Sequence, residues 1–189
     1  MSLSFVRVDD VAATPWRNGG GVTRELLAWP DGADWTLRLS VADITQDGAF
    51  SAFPGVERWF AVLGGAGVRL GDPPLALRPG GAVHRFDGGL APHCALIAGP
   101  TRDLNLMLRR GRASGLLAAL AAGETLRCAA TLRGVFAPLG GTLLRDGETP
   151  VTLAPMTLAW QDDAPPVTAW RMSAAAFAFE CSLNDTGPR

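Results

Sequence analysis

Arginine, serine and asparagine recur in this 189-residue chain at spacings that place them on one side of short extended segments. In "WTLRLSVA" (35–42), strict alternation sets Thr36, Arg38 and Ser40 against Leu37, Leu39 and Val41. In "DLNLMLR" (103–109) it sets Asp103, Asn105 and Met107 against Leu104, Leu106 and Leu108. An arginine in a pocket grips a carboxylate through two parallel N–H donors, and an asparagine beside it both donates to and accepts from an amide or carbonyl. That combination suits an amino-acid-like ligand. A solvated outer face is the competing reading. Ser and Asn, however, stand where such strands usually carry Thr, Lys or Glu, which favours a polar-lined pocket. "GAFSAFPGVERWF" (48–60) adds Ser51 and Arg58 among Phe50, Phe53, Trp59 and Phe60, aromatics that belong mainly to the core, with one or two left to line a cavity.

The most specific stretch is "PWRNGGGVTREL" (15–26), where Gly19, Gly20 and Gly21 separate Asn18 from Thr23, Arg24 and Glu25. A phosphate loop needs a lysine, and this chain has none; a dinucleotide fingerprint needs a preceding apolar strand and a βαβ rhythm, and neither is present. Two readings remain. One is a tight turn or bulge leading into the strand "VTRELLA", with Asn18 at positive φ. The other adds a donor-rich concavity, built from the N–H groups of Gly19 to Gly21 and the Asn18 amide, for a carboxylate or carbonyl oxygen.

Recognised catalytic and metal signatures do not stand out. All 17 basic residues are arginine and tyrosine is absent, which removes Schiff-base lysines and phenol acids. The two histidines, His84 and His93, form no HxH or HxxxE pair, so no metal and no cofactor is expected, while a lone histidine acting as a base stays open. There is no GxSxG elbow, and "QDD" (161–163) reads as a surface loop. Cys94, Cys128 and Cys181 are odd in number and widely spaced, which fits a reducing compartment better than disulfides.

The elements that must position these residues are strands. Twenty-three glycines and 14 prolines punctuate short alternating runs, the pattern of an all-β sandwich or barrel. "GGAG" (64–67) reads as a hairpin turn between "RWFAVL" and "GVRL", and with "GDPP" and "RPGG" it makes a β-meander of this part. "SGLLAALAAGETL" (114–126) is the one candidate helix, capped by Ser114 and ended by Gly123, though its two turns leave it ambiguous. Weaker strand signals continue beyond 125, without a polar linker or a detectable sequence repeat, and the terminal "NDTGPR" reads as frayed. At 48% apolar residues the chain builds its own core, and a formal net charge of -1 points to a small-molecule target rather than nucleic acid or an anionic membrane. No run approaches the roughly 20 apolar residues of a membrane span, and "MSLSFVRVDD" lacks a signal-peptide core, so a cytoplasmic location is expected.

"PWRNGGGVTREL", "WTLRLSVADITQDGAFSAFPGVERWFAVLGG", "FDGG" and "GPTRDLNLMLRRG" occur in the order of the blocks of the HutD/Ves family, which the chain resembles densely over about residues 14–111. The resemblance implies an all-β, cupin-like double barrel (a bicupin jelly roll) over residues 1–189, one compact unit of two packed halves with a boundary near 111–125. It also implies a pocket lined by Asn18, Thr23, Arg24, Glu25, Arg38, Ser40, Ser51, Arg58 and Asn105. Family members are linked to histidine utilisation, as sensors or governors of an intermediate, and others to stress. The expected partner is a small molecule such as formylglutamate, formiminoglutamate or urocanate, with a homodimer left open. Metal-dependent cupins hold their ion through HxH, an acid and a further histidine, a set this sequence lacks. The function expected is therefore metal-independent binding. An isomerase or hydrolase using Glu25 or a histidine as base, or a protein-interaction module, are the alternatives.

Overall fold

The computed structural model describes residues 3–30, 32–162 and 167–184. Nineteen strands and one 3-10 turn, Val8–Asp10, make up the regular structure, and there is no α-helix among the described residues. Chain order is β1 (Ser4–Arg7), β2 (Thr14–Pro15), β3 (Gly21–Trp29), β4 (Leu37–Ile44), β5 (Gly48–Ala49), β6 (Val56–Gly64), β7 (Val68–Leu70), β8 (Leu75–Leu77), β9 (His84–Asp87), β10 (His93–Leu96) and β11 (Thr101–Arg109). There follow β12 (Ala113–Leu120), β13 (Thr125–Cys128), β14 (Leu132–Ala137), β15 (Gly141–Arg145), β16 (Val151–Leu153), β17 (Thr157–Gln161), β18 (Thr168–Met172) and β19 (Ala176–Leu183).

The chain divides into two compact units, Ala12–Arg110 and Gly111–Arg189, the latter joined by Met1–Val11. In the first, a six-stranded antiparallel sheet runs β2-β3-β4-β11-β6-β9 and a four-stranded one β5-β10-β7-β8. Ile44, Phe50, Phe60, Val62, Val68, Leu70, Leu77 and Cys94 form the core, drawn from strands of both sheets. The second unit has the sheets β1-β17-β14-β19-β12 and β13-β18-β15-β16, with Val135, Ala137, Leu143, Ala159, Trp170 and Met172 among its core residues.

The two units repeat one set of pairings. β4 with β11, β11 with β6, β6 with β9, β5 with β10, β10 with β7 and β7 with β8 are answered in order by β12 with β19, β19 with β14, β14 with β17, β13 with β18, β18 with β15 and β15 with β16. The repetition lies in topology, where the sequence showed none.

Two local expectations are corrected. The segment "SGLLAALAAGETL" is strand β12, paired with β19 over all eight of its residues, and Gly123 takes its positive φ of 78° in the turn that follows. Ala and Leu are strong helix formers, but here a neighbouring strand satisfies the backbone and overrides that preference. The second correction concerns the meander. "GGAG" does not close a hairpin between ladder partners, because β6 and β7 belong to different sheets. Gly65 (φ 85°) and Gly67 (φ 93°) turn the chain from one sheet to the other, and a Cβ at either would run into a backbone carbonyl, of Pro100 or Leu77 respectively. "GDPP" does join the paired strands β7 and β8. Gln161, the first residue of "QDD", is buried at the end of β17; Asp162 is exposed and Asp163 lies outside the described residues, as do residues 185–189.

Candidate functional site

A cavity of about 530 Å³ opens in the first unit. Its floor comes from the alternation of β4, β6 and β11. Ladder pairing places Arg38 beside Met107 and Met107 beside Arg58, then Ser40 beside Asn105 and Asn105 beside Phe60, then Ala42 beside Asp103 and Asp103 beside Val62. Arg38, Ser40 and Ala42 of β4 and Asp103, Asn105 and Met107 of β11 therefore face the cavity, while Leu37, Leu39, Val41, Leu104, Leu106 and Leu108 are buried on the other face. The polar faces are a pocket, not a solvated exterior.

Arg58 is 4% exposed. Its Nε and Nη2 donate to Asn105 Oδ1 at 3.3 and 3.1 Å, and Nη1 donates to the Ser51 carbonyl at 3.4 Å. Three rings surround the guanidinium, with its carbon 5.2, 5.7 and 4.9 Å from the centroids of Phe50, Phe53 and Phe86. Burial lowers its pKa to about 10, Asp103 counteracts, and the charge of Arg38 lowers it further; it stays a cation at neutral pH. Asn105 turns its other end to the acid, Nδ2 donating to Asp103 Oδ1 at 3.2 Å. The result is a relay from cation through amide to carboxyl along the cavity floor. Asp103 is 1% exposed, and burial pushes its pKa up to about 7 against the Asn105 hydrogen bond and the Arg58 charge, with Asp43 adding to the rise.

The glycine-rich segment forms the rim. Gly19 carries the positive φ (72°) that sequence reasoning assigned to Asn18, and its N–H donates to the Trp16 carbonyl at 3.0 Å. The Gly20 N–H is taken by Asn18 Oδ1 at 3.0 Å. A Cβ on Gly21 would run into the Asp43 carbonyl oxygen and lie 3.3 Å from the Trp16 ring. The three glycines are thus explained by a left-handed residue, an Asn-closed turn and a close strand approach. The donor concavity is overturned for Gly19 and Gly20, whose N–H groups are spent inside the turn, and none of Gly19, Gly20 and Gly21 lines the cavity.

Of the remaining predicted residues, Asn18, Thr23, Arg38, Ser40, Ser51, Arg58 and Asn105 line the cavity together. Thr23 accepts a 2.7 Å hydrogen bond from Trp16 Nε1, fixing the indole at the mouth. Arg24 and Glu25 do not line it. Arg24 points to Asp43, donating at 2.9 Å to an acid that Arg102 also holds at 2.6 and 3.0 Å. Burial raises the Asp43 pKa, but the hydrogen bonds from Arg102 and Arg24 outweigh it and the net shift is downward. Glu25 lies just before a register shift in β3 and is half exposed. Its Oε2 sits 2.7 Å from Arg38 Nε, within ion-pair distance, yet that N–H is not aimed at it and forms no hydrogen bond. Arg17 and Trp16 were not anticipated as lining residues, and Asp103 and Met107, though placed on the polar face with Asn105, were not counted among the site residues. Asp103 and Met107 share the alternation of Asn105, which was the available signal. His84 and His93 lie outside the lining; His84 stacks on Phe86 with centroids 5.6 Å apart. No three His, Cys, Asp or Glu side chains gather at metal-binding distance among the described residues.

The HutD family profile matches residues 8–177. The chain belongs to the HutD family. It is 41% identical over 112 residues to an uncharacterized 21.2 kDa protein in the hutC 3' region of Pseudomonas putida (56% of this chain, 57% of that protein). It is 39% identical over 115 residues to protein Ves of Citrobacter koseri (58% of this chain, 60% of that protein). These matches span less than two thirds of either relative. The solved structure of HutD from Pseudomonas fluorescens SBW25 is similar with a TM-score of 0.85 at 28% identity, over 97% of this chain and 100% of that one. A cupin 2 conserved barrel protein from Leptotrichia buccalis, 9% identical, shares the fold with a TM-score of 0.58 over 96% of each chain. The architecture of this HutD-family chain is a cupin-like jelly roll, with each unit's sheets left open rather than closed. No helix among the described residues is long and apolar enough to cross a membrane.

Proposed function

We propose that the first unit's cavity binds a small, amino-acid-derived carboxylate without a metal, and that the protein acts in the cytoplasm as a governor of histidine utilisation. The observation that carries this is the charge of the lining: three guanidiniums, Arg17, Arg38 and Arg58, against one carboxyl, Asp103. Arg58 is held in place by Asn105 and the Ser51 carbonyl before any ligand arrives, so little side-chain entropy is lost on binding. A volume of about 530 Å³ suits a molecule of the size of formylglutamate, formiminoglutamate or urocanate. Ser40 and Asn18 offer hydrogen bonds to its polar tail. The hutC 3' region named for the Pseudomonas putida relative supports the link to histidine utilisation.

A second reading, a small cupin-like isomerase or hydrolase, is favoured by one observation. Asp103 carries a pKa of about 7 inside the cavity, suited to a general base; Glu25 and the histidines lie outside the lining. The test is a thermal-shift screen of the three candidates with histidine and glutamate as controls, followed by NMR of the recovered ligand. A ligand at 100 times its Kd stabilises by about 2.7 kcal/mol. A hit recovered unchanged, and lost in Arg58→Met, supports binding. Conversion moves the assignment to the enzyme, and no shift with any candidate refutes both.

A further inference from the structure

The acid in the cavity floor has a place beyond bracing Asn105. Asp103 accepts one hydrogen bond, from Asn105 Nδ2 at 3.2 Å, and its carboxyl makes no other among the described residues. On the far side of Asn105, Arg58 uses one N–H on each of its three nitrogens, which leaves two of its five donors for a guest. The charged and titratable groups that act on Asp103 are Arg58 from β6 and Asp43 from β4, with Arg38 from β4 acting on Arg58 in turn; the buried Cys94 thiol from β10 is itself pushed up to about 12 by burial and by the Asp103 charge. A carboxylate drawn to Arg58 enters the same buried floor that Asp103 occupies, and two neighbouring buried carboxylates do not both stay ionised.

We propose that Asp103 binds the ligand as a neutral acid: where Asp103 is ionised in the free protein, each ligand that sets a carboxylate beside Arg58 brings one proton from solvent to Asp103, and the Asp103 hydroxyl donates to a ligand oxygen. The proton offsets the charge of the carboxylate beside Arg58, and a residue that would repel the guest becomes its donor. Burial has already moved Asp103 up to about 7, so the proton is taken up near neutrality. This deepens the carboxylate-binding reading and rests on it.

The experiment is calorimetric titration of the full chain with N-formyl-L-glutamate and, separately, with acetate, at pH 6, 7, 8 and 9 in two buffers of different ionisation heat. The expected wild-type result is proton uptake approaching one per ligand at pH 8, and a Kd that weakens about tenfold per pH unit above the free-protein titration of Asp103. Asp103→Asn, whose amide donates without titrating, keeps binding but takes up no proton and shows a flat Kd from pH 7 to 9. Asp103→Leu binds more weakly at every pH. Binding by the wild type with no uptake at pH 8, or the same pH slope in Asp103→Asn, overturns the inference alone. Acetate binding with uptake while N-formyl-L-glutamate fails to bind overturns the amino-acid reading alone. Failure of both anions overturns both.

Discussion

Replacing Asp103 by Asn removes a group that the fold holds far from its ordinary titration, and the stability change follows from linkage. Asp103 is raised from 3.8 to about 7, with burial as the main cause. The folded protein therefore keeps a proton that the unfolded chain gives up between about pH 4 and 7. Unfolding releases that proton, so the wild type loses stability as pH rises through this window and levels off above it. A shift of about three pH units corresponds to about 4 kcal/mol, at about 1.4 kcal/mol per unit. Asp103→Asn keeps the acceptor that Asn105 Nδ2 addresses and drops the titration. Its stability relative to wild type rises by roughly 3 kcal/mol between pH 5 and pH 8, most of it before pH 7. Urea unfolding followed by the fluorescence of the six tryptophans, at one-unit pH intervals, measures the difference. Contributions from other groups cancel in it. A difference that stays constant within about 0.5 kcal/mol from pH 5 to 8 would refute the reasoning, since Asp103 would then titrate like an exposed acid.

Other outcomes follow from the same geometry. Gly21→Ala forces a methyl into the Asp43 carbonyl and costs about 2–3 kcal/mol of unfolding free energy measured in urea, whereas Gly20→Ala, whose Cβ meets only the Asn18 side chain, nearest at Oδ1 3.3 Å away, costs under about 1 kcal/mol. Asp43→Asn loses the charge that Arg102 and Arg24 address. Because the Asp43 pKa is net lowered, the cost of about 1–2 kcal/mol is present at pH 7 and fades as pH falls below about 4, checked by unfolding at pH 3 and 7. Cys94, Cys128 and Cys181 are buried, and burial raises their pKa values to about 12, 11 and 12. Ellman's reagent at pH 8 should label them at least ~100-fold more slowly in the native protein than in urea, where all three react.

Much of the cavity was legible because β4 and β11 alternate cleanly, and a period of two assigns faces without knowing the partners. The period put Arg38, Ser40 and Asn105 on shared faces, and their residue types together with the family resemblance marked those faces as a pocket rather than a solvated exterior. Arg24 and Glu25 were misjudged for a reason no local pattern reveals. The register shift between Glu25 and Leu27 breaks the alternation of β3, and an acid on the neighbouring strand, Asp43, claims the arginine. Strand order is equally hidden. β6 and β7 are three residues of turn apart yet sit in different sheets, while β4 and β11 pair across more than fifty residues of chain. Adjacent strands pair by default, so a meander was the natural reading, and only tertiary packing selects otherwise. In β12 the side chains of Ala and Leu argue for a helix, and the outcome is decided by β19, far along the chain.

The repeated pairings of the two units make each a reference for the other. Arg133 stands on β14 two residues before the core residue Val135, as Arg58 stands on β6 two before Phe60. Both are buried cations near aromatic rings, Arg133 with its guanidinium carbon 6.0 Å from the Trp170 centroid. They differ in what the next strand sets against them: Met107 opposite Arg58, Glu180 opposite Arg133. One unit thus writes an acid into its own ladder where the other writes a thioether at the floor of its cavity. Met107→Glu would copy the second arrangement into the first, and competition between that built-in acid and an external carboxylate, read as a loss of affinity by calorimetry, would show what the residue opposite a buried arginine decides.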